Sequence, residues 1–121
     1  MALMGADLIF YPTAIGNEPE DPSLNSVRHW QQAMQGHAAS NMIPVIASNR
    51  VGQEIADKTE MRFYGHSFIS NETGDIQCEC NDQDEDIICH SFNLDQIRLS
   101  RANWGLFRDR RPELYDRIVQ K

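Results

Sequence analysis

The spacing of apolar residues along this chain changes period twice, and those changes divide it into elements. Leu8-Ile9-Phe10-Tyr11 is an unbroken apolar run of strand length, the pattern of a strand covered on both faces. Pro12 has no amide proton to give a ladder, so it predicts the strand's end. Ahead of it, Met1-Ala2-Leu3-Met4-Gly5-Ala6 reads as the last turns of a helix closing on a glycine, as if an αβ unit were entered halfway. Behind it the period becomes helical. Leu24, Val27, Trp30 or Gln31, Met34, Ala38 and Met42 recur at three- and four-residue steps, with Ser23 or Asn25 available as a cap. Pro44 forces Ile43 out of the helical region, and Val45-Ile46-Ala47-Ser48 then reads as a second buried strand before Arg50-Val51-Gly52 turns. Strand, helix, strand predicts a right-handed crossover between parallel neighbours.

The second half switches toward a period of two. Arg62 to Ile69 is aromatic and apolar, Asn71-Glu72-Thr73-Gly74 is a turn, and Ile76, Cys78 and Cys80 alternate with Gln77 and Glu79. A half-exposed antiparallel hairpin fits that pattern. The acidic turn Asn81 to Glu85 predicts a further partner strand over Asp86 to Phe92. Asn93 then caps a short helix carrying Leu94, Ile97 and Trp104. From Gly105 to Lys121 the tail is arginine-rich with a few apolar anchors, and no segment repeats another. The expectation is one α/β unit over residues 1–121.

Composition narrows the partners. With 121 residues, 40% hydrophobic and 24% charged, the chain matches ordinary globular usage and one modest core. A formal net charge of -7 repels phosphate backbones and anionic lipid, which disfavours nucleic acid and membrane surfaces and suits a cationic small molecule. Three cysteines, no basic-then-apolar leader at the start and no apolar run of the roughly 18 to 20 residues a bilayer needs predict a cytoplasmic setting.

Most candidate chemistry reads more simply as structure. Gly65-His66-Ser67 begins like a nucleophile elbow but lacks the second glycine and opens onto more strand, so Ser67 reads as a hydrogen-bonded turn serine. Cys78, Cys80, Cys89 and His90 suggest zinc, yet paired ligands usually sit two to four residues apart, and cysteines at i and i+2 on a strand simply share its inward face. Asp82, Asp84 and Asp86 copy the first three ligands of a calcium loop, with Ile87 and Asn93 where glycine and glutamate belong. Asn71-Glu72-Thr73 is a glycosylation sequon that matters only in secretion, and His29 and His37 read as helix residues satisfied by packing. No metal and no cofactor is expected. Glu18 differs, because it stands in an acidic loop, Ile15 to Pro22, between a buried strand and a helix, where α/β proteins bind ligands. A carboxylate there either holds a substrate cation or is one of several solvated acids.

Several segments together resemble one family. Gly5-Ala6-Asp7-Leu8-Ile9-Phe10-Tyr11-Pro12-Thr13-Ala14-Ile15-Gly16 is similar to the strand and loop after the nucleophile helix of the nitrilase superfamily of carbon–nitrogen hydrolases. Gln35 to Asn41, Pro44 to Gly52, Phe63 to Ile69 and Trp104 to Tyr115 extend the resemblance nearly end to end. The Tyr11-to-Gly16 loop with Glu18 two residues later, and the tail, resemble the N-carbamoylputrescine amidase branch. The resemblance implies half of an αββα sandwich that dimerises, often into larger assemblies. It also implies hydrolysis of a terminal ureido group by a glutamate, lysine and cysteine triad, yielding putrescine, carbon dioxide and ammonia. It places Glu18 at the substrate's ammonium, with Thr13 and Ala14 as pocket wall. All three catalytic residues precede the matched segment in that family, so none of Cys78, Cys80, Cys89, Lys58 or Lys121 inherits a role. His66 stands where members often carry a small polar residue. Three readings stay open: part of such an enzyme, inactive alone, part of another ureido or amide hydrolase of the superfamily, or a non-catalytic binding or assembly protein that keeps the half-fold.

Overall fold

The computed structural model describes residues 1–57 and 59–120. Its spine is the predicted crossover. Strand β1 (Ile9–Thr13) runs parallel to β2 (Val45–Asn49), with Ile9 opposite Val45 and Thr13 opposite Asn49. Between them, helix α1 (Val27–Asn41) turns Met34 and Ala38 onto the sheet. There they meet Ile9, Val45, Ala47 and Phe68 in the core, and Trp30 packs edge-on against Phe68 with ring centroids 5.6 Å apart. Tyr11 and His37 also bind β1 to α1, stacked at 5.8 Å with 2.8 Å between hydroxyl and Nδ1, so His37 is satisfied as expected. The helix begins two residues past Asn25, whose side chain accepts from the Val27 amide at 3.1 Å, and it leaves Leu24 exposed and off the stripe.

Two expectations about β1 need correction. Pro12 lies within the strand, opposite Ser48. Ile9 donates to the Pro44 carbonyl at 3.1 Å, so residues 9, 11 and 13 face β2 while Phe10 and Pro12 turn their nitrogens to the outer edge. The sheet order β1-β2-β5-β6 makes β1 outermost among the described strands, and a proline nitrogen on an outer edge removes no ladder bond. Nor is β1 covered on both faces, since Phe10 is 63% exposed.

The predicted hairpin is β5 (Phe68–Ser70) with β6 (Ile76–Glu79), antiparallel, with β5 seated antiparallel on β2. Its turn is pinned by the Asn71 side chain, whose Oδ1 accepts from the amides of Thr73 and Asp75 at 3.1 and 2.8 Å. Two elements depart from expectation. Asp86 to Phe92 forms no strand, and Ile87 is exposed. A second hairpin, β3 (Gln53–Ala56) with β4 (Thr59–Arg62), stands apart from the main sheet.

Helix α2 (Leu94–Trp104) is capped as predicted, Asn93 Oδ1 accepting from the Gln96 amide at 3.0 Å. It is tied to the start of β1 through Asp7, which receives Arg98 Nη2 at 2.5 Å and Arg101 Nη2 at 3.2 Å. In the tail, a 3-10 turn (Pro112–Leu114) and α3 (Asp116–Val119) follow, and Arg108 and Arg111 pair locally with Asp109 and Glu113. No helix among the described residues is long and apolar enough to cross a membrane.

The hydrogen bond from Arg98, aided by its charge and by Arg101, holds the Asp7 carboxyl below its ordinary value of 3.8 against a smaller opposing effect of desolvation. A folded-state carboxyl that titrates below its unfolded value stabilises the fold above that unfolded value, and the contribution fades as pH falls through the lower one. Asp7→Asn should therefore reduce stability near neutrality and flatten the stability curve below about pH 4. Urea midpoints of the two proteins measured across pH 2 to 7 check this, and parallel curves would contradict it.

Candidate functional site

The carboxyl ends of β1 and β2 meet at one side chain. Asn49 Oδ1 accepts from Thr13 Oγ1 at 3.1 Å and from the Ile15 amide at 2.9 Å. Its Nδ2 donates to the carbonyls of Ile15 at 3.1 Å and Gly65 at 2.9 Å. Its own amide donates to Ser67 Oγ at 2.9 Å, and that hydroxyl donates back to the Asn49 carbonyl at 3.1 Å. Both lone pairs and both protons of the carboxamide are thus used. The loop after β1 and the segment before β5 are fastened to the end of β2 by one residue. Ser67 is the hydrogen-bonded turn serine expected of it.

The same edge is extended by a second amide. Asn17 donates its backbone N–H to the Arg62 carbonyl at 2.9 Å and accepts the Arg62 amide on Oδ1 at 2.6 Å. Gly16 permits this closeness, since a Cβ there would lie 2.5 Å from the Arg62 carbonyl oxygen. Gly65 does the same for the far wall. Its φ is +63°, and a Cβ would fall 2.7 Å from the Asn81 carbonyl and 2.8 Å from Asp82 Cα. His66 follows at φ 55°, in the left-handed region. Its amide donates to Asn81 at 3.2 Å, and its Nδ1 sits 2.8 Å from Glu79 Oε1, which also receives Gln31 Nε2 at 2.7 Å.

Two clefts open at this edge. One, of about 270 Å³, is bounded by Asn17, Asn25, Arg62, Tyr64, His66 and Asp82. The other, of about 440 Å³, is lined by Ser48, Asn49, Ser67, Cys80, Asp84 and Asp86 among others. Neither is lined by Thr13, Ala14 or Glu18. Thr13 is half-buried with its hydroxyl directed to Asn49 Oδ1 and the Ser48 carbonyl, Ala14 is exposed, and Glu18 is exposed with its carbonyl accepting from the Asp21 amide at 3.1 Å. Thr13 at the end of β1, and Ala14 and Glu18 in the loop that Asn49 and Asn17 anchor, thus all lie outside both clefts.

Cys80 is poorly suited to nucleophilic attack. Burial, followed by the charges of Asp86 and Glu79, pushes the Cys80 thiol up, away from the thiolate a nucleophile needs. Cys78 Sγ lies 3.6 Å from the Cys89 carbonyl. Among the described residues no three His, Cys, Asp or Glu side chains gather as a metal ligand set. Lys58 and Lys121 lie outside the described residues.

The carbon-nitrogen hydrolase family matches residues 1–102. The chain belongs to that family. Over 95% of its length it is 50% identical to N-carbamoylputrescine amidase of Oryza sativa subsp. japonica, and over 100% it is 52% identical to citrullinase of Francisella tularensis. It spans 40% and 42% of those relatives. The crystal structure of a carbon-nitrogen hydrolase from Helicobacter pylori G27 superposes with a TM-score of 0.82 at 33% identity, covering 100% of this chain and 43% of that one. The α/β expectation and the family resemblance are both met.

Sequence reasoning missed Asn49. Its one signal is an asparagine at a strand end before a turn, a common arrangement that does not disclose four partners. Asn49→Ala strands the Ile15 amide and the Gly65 carbonyl, and should cost about 2 to 4 kcal/mol. Urea denaturation measures it, and a loss under about 1 kcal/mol would show the loops to be held by other means.

Proposed function

We propose that this chain is the carboxy-terminal part of an enzyme that hydrolyses N-carbamoylputrescine to putrescine, carbon dioxide and ammonia in polyamine biosynthesis. Identity of 50% to an enzyme of that name carries the reading. The chain's own contribution is the substrate-holding edge. N-carbamoylputrescine has an ammonium at the end remote from its ureido group, and Glu18, in the loop anchored beyond β1, meets it through a charge-assisted hydrogen bond. Thr13 and Ala14 form the wall where that loop leaves the strand. Attack on the ureido carbon needs a thiolate, a base and an oxyanion donor, and these come from the catalytic glutamate, lysine and cysteine of the rest of the enzyme. The whole enzyme is read as a cytoplasmic homo-oligomer built on a dimer, without metal or cofactor.

A second reading, a ureido amino acid as substrate, is favoured by the 52% identity to citrullinase. Both readings share the ureide chemistry and differ in what lies at the substrate's far end.

Two measurements test the proposal. The isolated chain should hydrolyse N-carbamoylputrescine no faster than buffer. In the enzyme completed with the family's catalytic segment, Glu18→Gln should raise KM for N-carbamoylputrescine about tenfold, the value of one hydrogen bond to a charge, while kcat stays within about twofold. An unchanged KM would overturn the role of Glu18.

A further inference from the structure

The loop after β1 stays paired for three residues beyond the strand. The Ile15 carbonyl accepts from the Tyr64 amide at 3.1 Å, Gly16 forms an antiparallel bridge with Phe63, and Asn17 donates its amide to the Arg62 carbonyl at 2.9 Å. On that last rung the return bond, from the Arg62 amide, ends on Asn17 Oδ1 at 2.6 Å. In a regular antiparallel rung both acceptors are main-chain carbonyls. Here the carboxamide supplies one of them, so the rung is completed while the main chain turns away at the next residue.

That next residue is Glu18. Its backbone is held on both sides, by the Asn17 rung before it and by its own carbonyl, which accepts from the Asp21 amide at 3.1 Å. The Asp21 carboxylate is already taken by the amide and hydroxyl of Ser23, at 3.1 and 2.6 Å. Glu18 itself is exposed, so what the fold fixes is the point from which its carboxylate projects. A carboxylate on a fixed base reads the distance to a cation. One on a loose loop follows the cation and selects little. Ordering the loop before a substrate arrives also lowers the cost of binding.

We propose that Asn17 is a positioning residue that sets the length of substrate the enzyme prefers, by fixing the base of Glu18. The inference rests on Glu18 as the group that meets the substrate's ammonium. Asn17 touches no reacting atom in this role and acts through its neighbour. With the ureido group held at the catalytic residues and the ammonium at Glu18, one length of carbon chain fits between them. A shorter chain leaves the charge-assisted bond unmade, and a longer one must buckle.

The test compares kcat/KM of the completed enzyme for N-carbamoylputrescine and for its analogues one methylene shorter and one longer, which all carry one ammonium. The parent enzyme should favour one length over its neighbours by about tenfold or more. Asn17→Ala removes the Oδ1 acceptor and keeps the Asn17 amide, and should cut that preference to about threefold or less. Asn17→Asp keeps an acceptor oxygen and should retain the preference, since its added charge acts on all three substrates alike. A loss of stability alone would lower the three values by one factor. An unchanged ratio in Asn17→Ala therefore overturns the proposal, as does a parent without length preference or an equal loss in Asn17→Asp. The role of Glu18 is judged separately. If Glu18→Gln raises KM while Asn17→Ala keeps the ratio, Asn17 alone loses its role. If Asn17→Ala flattens the ratio while Glu18→Gln leaves KM unchanged, the result counts against Glu18 and for the clamp on the loop.

Discussion

The Asn49 carboxamide is the constraint on which the functional edge depends. A carboxamide has two protons and two lone pairs in a plane, and here all four are spent on three residues: Thr13, both backbone groups of Ile15, and Gly65. The strands alone align only β1 with β2. What turns their ends into a site is that the loop carrying Ala14 and Glu18 and the segment carrying His66 are both hung from the last residue of β2. Asn17 repeats the device one step farther out, on Arg62. Side-chain amides thus replace a sheet ladder where the backbone leaves regular structure, and buried polar groups stay paired where unpaired ones would be costly.

Much of the fold was legible because periodicity is a strong signal where burial alternates with exposure. The stripe through Met34 and Ala38, the strand at Val45, the alternation at Ile76 and Cys78 and the cap at Asn93 all report which face meets the core. Where burial does not alternate, nothing is written. All four residues of β3 are exposed, so that strand leaves no apolar period. Ile87 and Ile88 gave a strand-like run that the fold leaves out of the sheet. Pro12 misled because a proline's meaning depends on which edge its nitrogen faces, a property of the neighbouring strand and not of the residue.

The site was less legible than the fold. Asn49 draws its side-chain partners from residues 16 to 36 positions away, and no local pattern encodes contacts at that distance. Arg62, His66 and Asp82 are scattered over the second half and line one cleft, where Gly65 lets the chain pass close to Asn81 and Asp82. Glu18 stood out by its setting and by the family resemblance, and the loop around it, fastened at Ile15 and Asn17, leaves it at the surface.

The outward edge of β1 has a consequence for how the molecule meets other chains. Because residues 9, 11 and 13 face β2, the groups turned outward are those of Phe10 and Pro12, and Pro12 contributes a carbonyl but no amide. A strand arriving at this edge therefore finds a single donor, at Phe10, beside a bare apolar ring. With one donor fewer, this side of the strand gives less purchase to indiscriminate strand addition. The proline leaves the strand intact on its inner side.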